Sequence, residues 1–339
     1  MANYLPSVLA KAQAVLLNAF ANADKRFREP VVHKSFLENS TIMFPDYQTI
    51  RTREDRTVEA YAKVKTARAL GTGRSHNHTG NKGDSQILTP SWTTYNDTWS
   101  ISLKQADNNV FSLDEMGLNE IENGVRNFMV GLETVATTYL HNNRTGVNVA
   151  TVEGTFNATN DAFEVQLADI DRFLQIATTT MDVNAYQGTR YMVYADTAAW
   201  NRLNFQFNQG SQNSENLSFQ FGGVRIMHAP ELSALAGGLL YTNGYMILVP
   251  EGHIGGLPWI PRQNRQGVST KENEYGQILN PFDGVNYAVH SYEQRSDQSS
   301  DGGYTQDVLT EFELSLDMAY EHAPLSTANE TPIFAFALV

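Results

Sequence analysis

The sequence contains no cysteine among its 339 residues. Disulfide bonds, thiolate metal sites and cysteine nucleophiles are therefore excluded, which fits a protein made in a reducing cytoplasm. No stretch approaches the ~18 consecutive apolar residues of a membrane-spanning helix. The first apolar segment, residues 5–20, has no basic leader and is interrupted by Lys11, Gln13 and Asn18, so it is not a secretory signal. We expect no contact with a membrane.

Basic residues are scarce and unevenly placed. The chain has 24 Lys and Arg against 37 Asp and Glu, a net charge of -13. Residues 1–84 carry 13 basic and 8 acidic side chains, net +5, and the remainder carries 11 and 29, net -18. This opposition favours head-to-tail contacts between copies of the chain, and an uneven solvated surface is the equally weighted alternative. With 41% hydrophobic residues, the chain can bury one large core or two smaller ones.

The N-terminal third predicts extended parts rather than a closed domain. Apolar residues at helical spacing from Leu5 to Phe20 predict an amphipathic helix on an N-terminal arm, with both of these residues on its buried face. Alternating polar and apolar residues in 57–64 and 98–104 predict two strands, and the polar, Gly-rich segment 71–83 lies between them. We expect a long hairpin with this segment at its tip. Because an isolated two-stranded ribbon is marginal in water, it should lie on a neighbouring subunit.

A long helix follows. Ser112 and Glu115 form a capping box, and apolar residues then recur in steps of three and four to Tyr139. Three glycines, Gly117, Gly124 and Gly131, recur every seven residues within this helix. Such a stripe drifts only ~20° per repeat and permits close approach of another backbone, or bending. Chance placement of tolerated glycines is the alternative.

The remaining chain predicts a compact α/β region and then two long strands. The α/β region should contain a helix over 163–176, a strand over 191–195, a short helix around Trp200, and strands near 219–228 and 245–249. In the closing pair, one strand alternates around Tyr287 and the other over 311–320, with one face buried and one face acidic and wet. No internal repeat is present, which argues against a solenoid or propeller.

No motif predicts catalysis, cofactor binding or a metal. The sequence has no phosphate loop, no dinucleotide-binding glycine pattern and no nucleophile elbow. His76, His78 and Asp84 are close in sequence, but we interpret them as a solvated loop, and His253 as a residue of a glycine turn. The arginines in 51–56 and 262–265 are too sparse for a sequence-reading nucleic-acid module. They can at most contact phosphate groups or acidic neighbours, and we expect the protein not to be an enzyme.

This order of parts resembles the α+β, Hong Kong 97-like capsid fold of tailed bacteriophages over nearly the whole chain. The resemblance is one of architecture, without a diagnostic short motif. It implies an N-terminal arm at 1–45, an extended β-hairpin loop at 46–105, the long spine helix with the start of the peripheral domain at 106–159, an α/β axial domain at 160–280, and peripheral-domain strands with the C-terminus at 281–339. The given sequence shows no long charged helical segment before the arm, so we expect scaffolding from a separate protein, unless a leader was removed before this numbering begins.

The resemblance also implies a function. Such a major capsid protein self-assembles into hexamers and pentamers of an icosahedral shell around double-stranded DNA, which it contacts non-specifically. It is assembled in the host cytoplasm and located in the virion, with a separate scaffolding protein, portal and decoration proteins as further partners. No cofactor or metal is implied. As inter-subunit contacts we predict Arg68, Arg74, Lys82, Trp92, Gly117, Gly124 and Gly131.

Two alternatives remain open from the sequence. The first shares the fold and is an encapsulin, a bacterial compartment shell loaded with a cargo enzyme. The second is a β-rich virion adhesin or other binding protein, which would form small oligomers.

Overall fold

The computed structural model describes residues 4–54, 56, 60–63, 85–102, 113–147, 153–186, 189–207, 218–221, 224–270, 272–296, 307–325 and 329–339. The predicted hairpin tip at 71–83 and the capping residue Ser112 lie outside these residues. No helix in the described ranges is long and apolar enough to cross a membrane.

The described part of the chain alternates helices with strands. Its helices are α1 (Tyr4–Ala21), α2 (Val31–Met43), α3 (Tyr47–Thr52), α4 (Leu113–Asn142), α5 (Phe173–Met181), α6 (Thr197–Phe207), α7 (Glu231–Gly238) and α8 (Arg262–Gln266). Its strands are β1 (Ala60–Lys63), β2 (Ser85–Leu88), β3 (Thr93–Ser102), β4 (Thr155–Asn157), β5 (Ala162–Val165), β6 (Tyr191–Ala195), β7 (Ser218–Phe221), β8 (Val224–His228), β9 (Tyr245–Pro250), β10 (Ile254–Trp259), β11 (Asn273–Asn280), β12 (Val285–Ser296), β13 (Asp307–His322) and β14 (Phe334–Leu338).

Strand β13 is the centre of an antiparallel five-stranded sheet. Strands β12 and β10 follow one another along one of its sides, β3 pairs along the other, and β11 completes the sheet beside β12. The alternation predicted for 311–320 is confirmed on the apolar side, where Phe312, Leu314 and Leu316 are buried. One sheet face therefore packs on the core, and the other carries Glu311 and Glu313, both half-buried.

The predicted pairing of the long hairpin is wrong. Residues 60–63 pair with β2, not with 98–104, and β3 pairs with β13 over ten residue positions. Both pairings satisfy the same alternation of polar and apolar residues, so local sequence does not choose between them. Pairing with β13 places Ile101 in the core, where it is 1% exposed, and stacks Trp99 on Phe312 at a centroid distance of 5.7 Å.

The long helix is confirmed as α4, which has 30 residues and is about 45 Å long at ~1.5 Å per residue. It contacts α1, α2, α7, β3 and β13, so several elements pack against this one helix. Helix α1 is confirmed too, and it packs on α4 and on the edge strand β11. Phe20 was expected on its buried face but is 49% exposed, and Ala19 is buried instead.

A seven-stranded mixed sheet forms the second layer, in the order β4-β5-β14-β9-β6-β8-β7. The strands predicted at 191–195 and 245–249 are confirmed as β6 and β9, and both are buried throughout because helices cover the two sheet faces. The helix predicted over 163–176 is wrong in its first part. Residues 162–165 form β5, which pairs in parallel with the C-terminal strand β14, and α5 begins only at Phe173.

Neither sheet is formed by a single continuous segment of the chain. Strands β10 and β11 lie within 160–280 but pair with β13 and β12, and β14 lies within 281–339 but pairs with β9. The assignment of these ranges to axial and peripheral parts stays a prediction.

Candidate interaction surfaces

The described residues do not bring together a metal-binding set, defined as three or more His, Asp or Glu side chains. His253 lies edge-on to Tyr186 with ring centroids 5.5 Å apart, and its Nδ1 is 3.1 Å from the carbonyl oxygen of Glu251. His76, His78 and Asp84 lie outside the described residues. His253 is therefore held by packing contacts.

The two arginine-bearing segments meet, although more than 200 positions separate them. The guanidinium of Arg265 donates to the carbonyl oxygens of Arg51 (3.3 Å) and Arg53 (2.8 Å). It also lies over the indole ring of Trp259, 5.9 Å from the centroid, and the Nε1 of Trp259 donates to the same Arg53 carbonyl at 3.0 Å. Arg265 thus fixes the end of α3 to the end of β10.

A cleft of about 240 Å³ opens beside this junction, where β10 ends and β12 begins. Two cations and three amide side chains line it, and none of its lining residues is acidic. We call it the arginine cleft and define it by Arg51, Arg265, Gln48, Gln277, Asn286 and Trp259. Arg51 lies over the ring of Tyr47, 5.4 Å from its centroid. The arrangement suits an anionic group, since guanidinium and amide groups supply donors.

Ion pairs flank the arginine cleft. Arg262 pairs with Glu54, whose side chain is 73% exposed. Arg56 pairs with Asp317 at 3.2 Å and donates to Thr94 at 2.9 Å. The prediction that the acidic face of the last long strand is wet is wrong at Asp317, which is 6% exposed. Arg56 contacts this end of β13 and compensates the buried charge.

Two further carboxylates form an acidic ridge on the same face of β13. We define the acidic ridge as Glu311 and Glu313, which lie opposite Tyr292 and His290 of β12. No Lys or Arg pairs with either carboxylate among the described residues. His290 stacks on Tyr275 with centroids 4.6 Å apart, and burial lowers its pKa although Glu313 acts in the opposite direction.

Part of the charge opposition between the two parts of the chain is used within one subunit. Lys11 of α1 pairs with Asp114 of α4, Arg28 pairs with Glu231 at 2.9 Å, and Arg26 lies 3.9 Å from Glu122. The basic side chains of these pairs are 40–58% exposed, so each pair contributes about 1 kcal/mol or less. The expectation that the opposition serves contacts between copies therefore applies only to charges that remain unpaired, such as the acidic ridge.

The glycine stripe of α4 has two environments. Gly117 and Gly124 are buried, and a Cβ at Gly124 would lie 3.2 Å from Cζ3 of Trp99 and 3.4 Å from Cδ2 of Leu314. Strand β3 of the same chain thus occupies the stripe at Gly124. Gly131 is exposed, with no atom within 4 Å of an added Cβ, and it borders an open groove of about 360 Å³ between α4 and β3.

The other predicted contact residues are differently placed. Trp92 is half-buried against a small apolar cluster of its own chain that includes Phe44, Tyr47 and Leu257. Its indole nitrogen is buried without a hydrogen-bond partner. Arg68, Arg74 and Lys82 lie outside the described residues. A role of these four residues between subunits stays a prediction.

A buried polar network ties α2 to α4 and was missed in the sequence. The carboxylate of Glu133, which is 3% exposed, accepts hydrogen bonds from the backbone nitrogens of Val32 and His33, each at 3.0 Å. Burial raises the pKa of Glu133 to about 7, and burial lowers the pKa of His33 to about 3. Nδ1 of His33 contacts the Tyr320 hydroxyl at 2.8 Å. The available signal was an acidic residue, Glu133, directly after Leu132 on the apolar stripe.

Comparisons with known proteins give a likeness of structure only. No protein-family model and no curated protein matches the chain. A chain of the cyanophage A-1(L) capsid asymmetric unit is 12% identical, with a TM-score of 0.50 over 83% of this chain and 87% of its own. A chain of the cyanophage Pam1 capsid asymmetric unit is 10% identical, with a TM-score of 0.46 over 86% and 87%. A chain of Mycobacterium phage Che8 is 8% identical, with a TM-score of 0.48 over 86% and 88%.

The match to the A-1(L) chain covers 83% of this chain. At this identity it establishes the architecture and leaves residue roles to the chain's own chemistry. The chain therefore has the α+β, Hong Kong 97-like fold of tailed-phage capsid proteins.

Proposed function

We propose that the chain is the major capsid protein of a tailed phage, a structural subunit without catalytic activity. The observation that carries this proposal is the match in fold to a chain of the cyanophage A-1(L) capsid, over 83% of this chain and 87% of that one. The match covers both chains to a similar extent, so the shared fold extends over most of each.

The subunit would assemble into hexamers and pentamers of an icosahedral shell that encloses double-stranded DNA. Its location would be the virion, after assembly in the host cytoplasm. A separate scaffolding protein, the portal and decoration proteins would be its other partners. The proposed parts remain the arm at 1–45, the extended loop at 46–105, the spine helix region at 106–159, the axial domain at 160–280 and the peripheral strands at 281–339.

Electron microscopy of the purified chain tests this function. We expect closed shells of uniform diameter, alone or with a co-expressed scaffolding protein from the same genome. Small soluble oligomers under both conditions would contradict the proposal and favour a binding protein. Shells that copurify with one enzyme as cargo would instead indicate an encapsulin.

A deletion tests the proposed extended loop separately. Removal of residues 71–83 should leave a folded subunit, with an unchanged circular dichroism spectrum, that no longer assembles. The reason is that the loop is proposed to lie across the neighbouring subunit. Normal shells from the deletion variant would exclude that contact while leaving the shell function intact.

A further inference from the structure

The arginine cleft and the acidic ridge lie on the same face of one sheet. Within β12, Asn286, His290 and Tyr292 share a face, since they are separated by even numbers of residues. Glu313 lies opposite His290 and Glu311 opposite Tyr292, and Asn286 lines the arginine cleft. Cleft and ridge are therefore neighbours, separated by about 13 Å for four residues at ~3.3 Å each.

Neither surface is neutralised by the described part of its own chain. The arginine cleft contains Arg51 and Arg265 and no carboxylate. The acidic ridge places Glu311 and Glu313 two residues apart without an Arg or Lys partner, so the two like charges repel each other. Each surface lacks the charge that the other carries.

We propose that the arginine cleft binds a carboxylate of the acidic ridge from a second copy of this chain. This inference deepens the proposed shell function and rests on it. Because both surfaces share one face, two copies related by a two-fold axis can bind each ridge in the other's cleft at the same time. The contact gives register between copies, as complementary charges at interfaces do.

The structure favours a carboxylate side chain over a nucleic-acid backbone as the occupant. A cleft of about 240 Å³ admits a single side chain, whereas a duplex presents phosphates continuously along its length. Glu54, which is 73% exposed, stands beside the cleft through its pair with Arg262 and would repel an extended polyanion. A single glutamate carries one negative charge and meets less of that repulsion than a continuous polyanion does.

Charge exchange is the first test. Arg51→Glu and Glu313→Arg should each slow shell assembly at least about tenfold, because like charges then face each other. The two changes in one chain should restore assembly to near the wild-type rate, and Arg51→Lys should retain most of it. Melting temperature and circular dichroism of each unassembled variant verify that the subunit is folded.

Cross-linking is the second test, and the absence of cysteine makes it specific. Purified Arg51→Cys and Glu313→Cys proteins, one of them tagged, are mixed and treated with a short bismaleimide, because an Arg–Glu pair holds its Cα atoms too far apart for a disulfide. We expect a tagged heterodimer. The matched control replaces Arg51→Cys by Arg172→Cys, which removes an exposed arginine that pairs with Glu153 elsewhere on the subunit.

The outcomes separate the inference from the function. Failure of the double charge exchange to restore assembly, or a heterodimer yield no higher than the control, would overturn the inference while wild-type shells remain. If Arg51→Glu leaves assembly unchanged but abolishes binding of a labelled DNA duplex, the occupant is phosphate and the second-copy assignment is wrong. Cross-linking of cleft to ridge without any shells from wild type would refute the function and leave the contact standing.

Discussion

Two glycines of α4 form a matched pair, because they share a helix and differ in what surrounds them. Alanine is more favourable than glycine in a helix interior by about 0.8–1.0 kcal/mol. At Gly131 no atom lies within 4 Å of an added Cβ, so Gly131→Ala should raise the free energy of unfolding by about 0.5–1 kcal/mol. At Gly124 the added Cβ meets Trp99 at 3.2 Å, and the same gain should be largely offset.

Leucine enlarges the difference between the two positions. In Gly124→Leu the side chain must displace Trp99 and Leu314, and such overpacking costs about 1–3 kcal/mol. In Gly131→Leu the side chain enters the open groove beside Phe128, and the variant should stay at least as stable as wild type. Because the gain in helix propensity is common to both positions, the two leucine variants should differ by about 1–3 kcal/mol in the free energy of unfolding.

Urea denaturation of the unassembled subunit measures this difference. Equal stabilities of Gly124→Leu and Gly131→Leu would refute the packing of β3 against α4. Assembly of the same proteins addresses the neighbouring subunit. If Gly131→Leu subunits are stable but do not form shells, the groove beside Gly131 is a contact between copies, whereas normal shells would remove Gly131 from the predicted contacts.

Three further predictions concern single residues. Glu133→Ala leaves two buried backbone donors of α2 without an acceptor and should lower the free energy of unfolding by about 2–4 kcal/mol, which urea denaturation at pH 6 measures. Burial raises the pKa of Glu133 from 4.5 to about 7. The contribution of the protonated side chain to stability is therefore complete below pH 4.5 and is lost as the pH rises through 7. Wild type should lose stability relative to Glu133→Gln over this interval, and parallel pH profiles of the two proteins would contradict the pKa assignment. The side-chain amide of Gln13 donates to the carbonyl oxygen of Leu279 at 3.0 Å and accepts from the backbone nitrogen of Leu279 at 2.8 Å, on the edge strand β11. Gln13→Ala should therefore accelerate hydrogen exchange of the Leu279 amide, and unchanged exchange would exclude this protection of the sheet edge.

Features that depend on local sequence could be predicted. The spacing of apolar residues located α4 and its end, because a 3.6-residue period over eight turns has no competing interpretation. The short continuous apolar runs of β6 and β9 located two buried strands, because a run of this length is typical of a strand buried on both faces. Helix α1 was placed correctly, and the error of one residue at Phe20 arises because Ala19 and Phe20 border the same stripe.

Features that depend on distant partners could not be predicted. Strand β3 alternates equally well for a partner in β1 or in β13, and the choice is made by burial of Ile101 and stacking of Trp99 on Phe312. Strand β5 is recognisable only beside β14, almost at the end of the chain. The arginine cleft escaped notice for the same reason, since its cations come from segments more than 200 positions apart.

Ionic strength separates the forces that hold the subunit from those that would join copies. Helix α1 is fixed by fully buried side chains such as Val8, Ala12 and Leu16, and its ion pair to Asp114 is exposed. Apolar burial does not weaken with salt, whereas exposed charges are screened beyond about 10 Å at 0.1 M salt. Added salt should therefore leave the melting temperature of the unassembled subunit unchanged and slow assembly, as light scattering measures. Assembly that is indifferent to salt would show that apolar contacts, rather than the arginine cleft and the acidic ridge, set its rate.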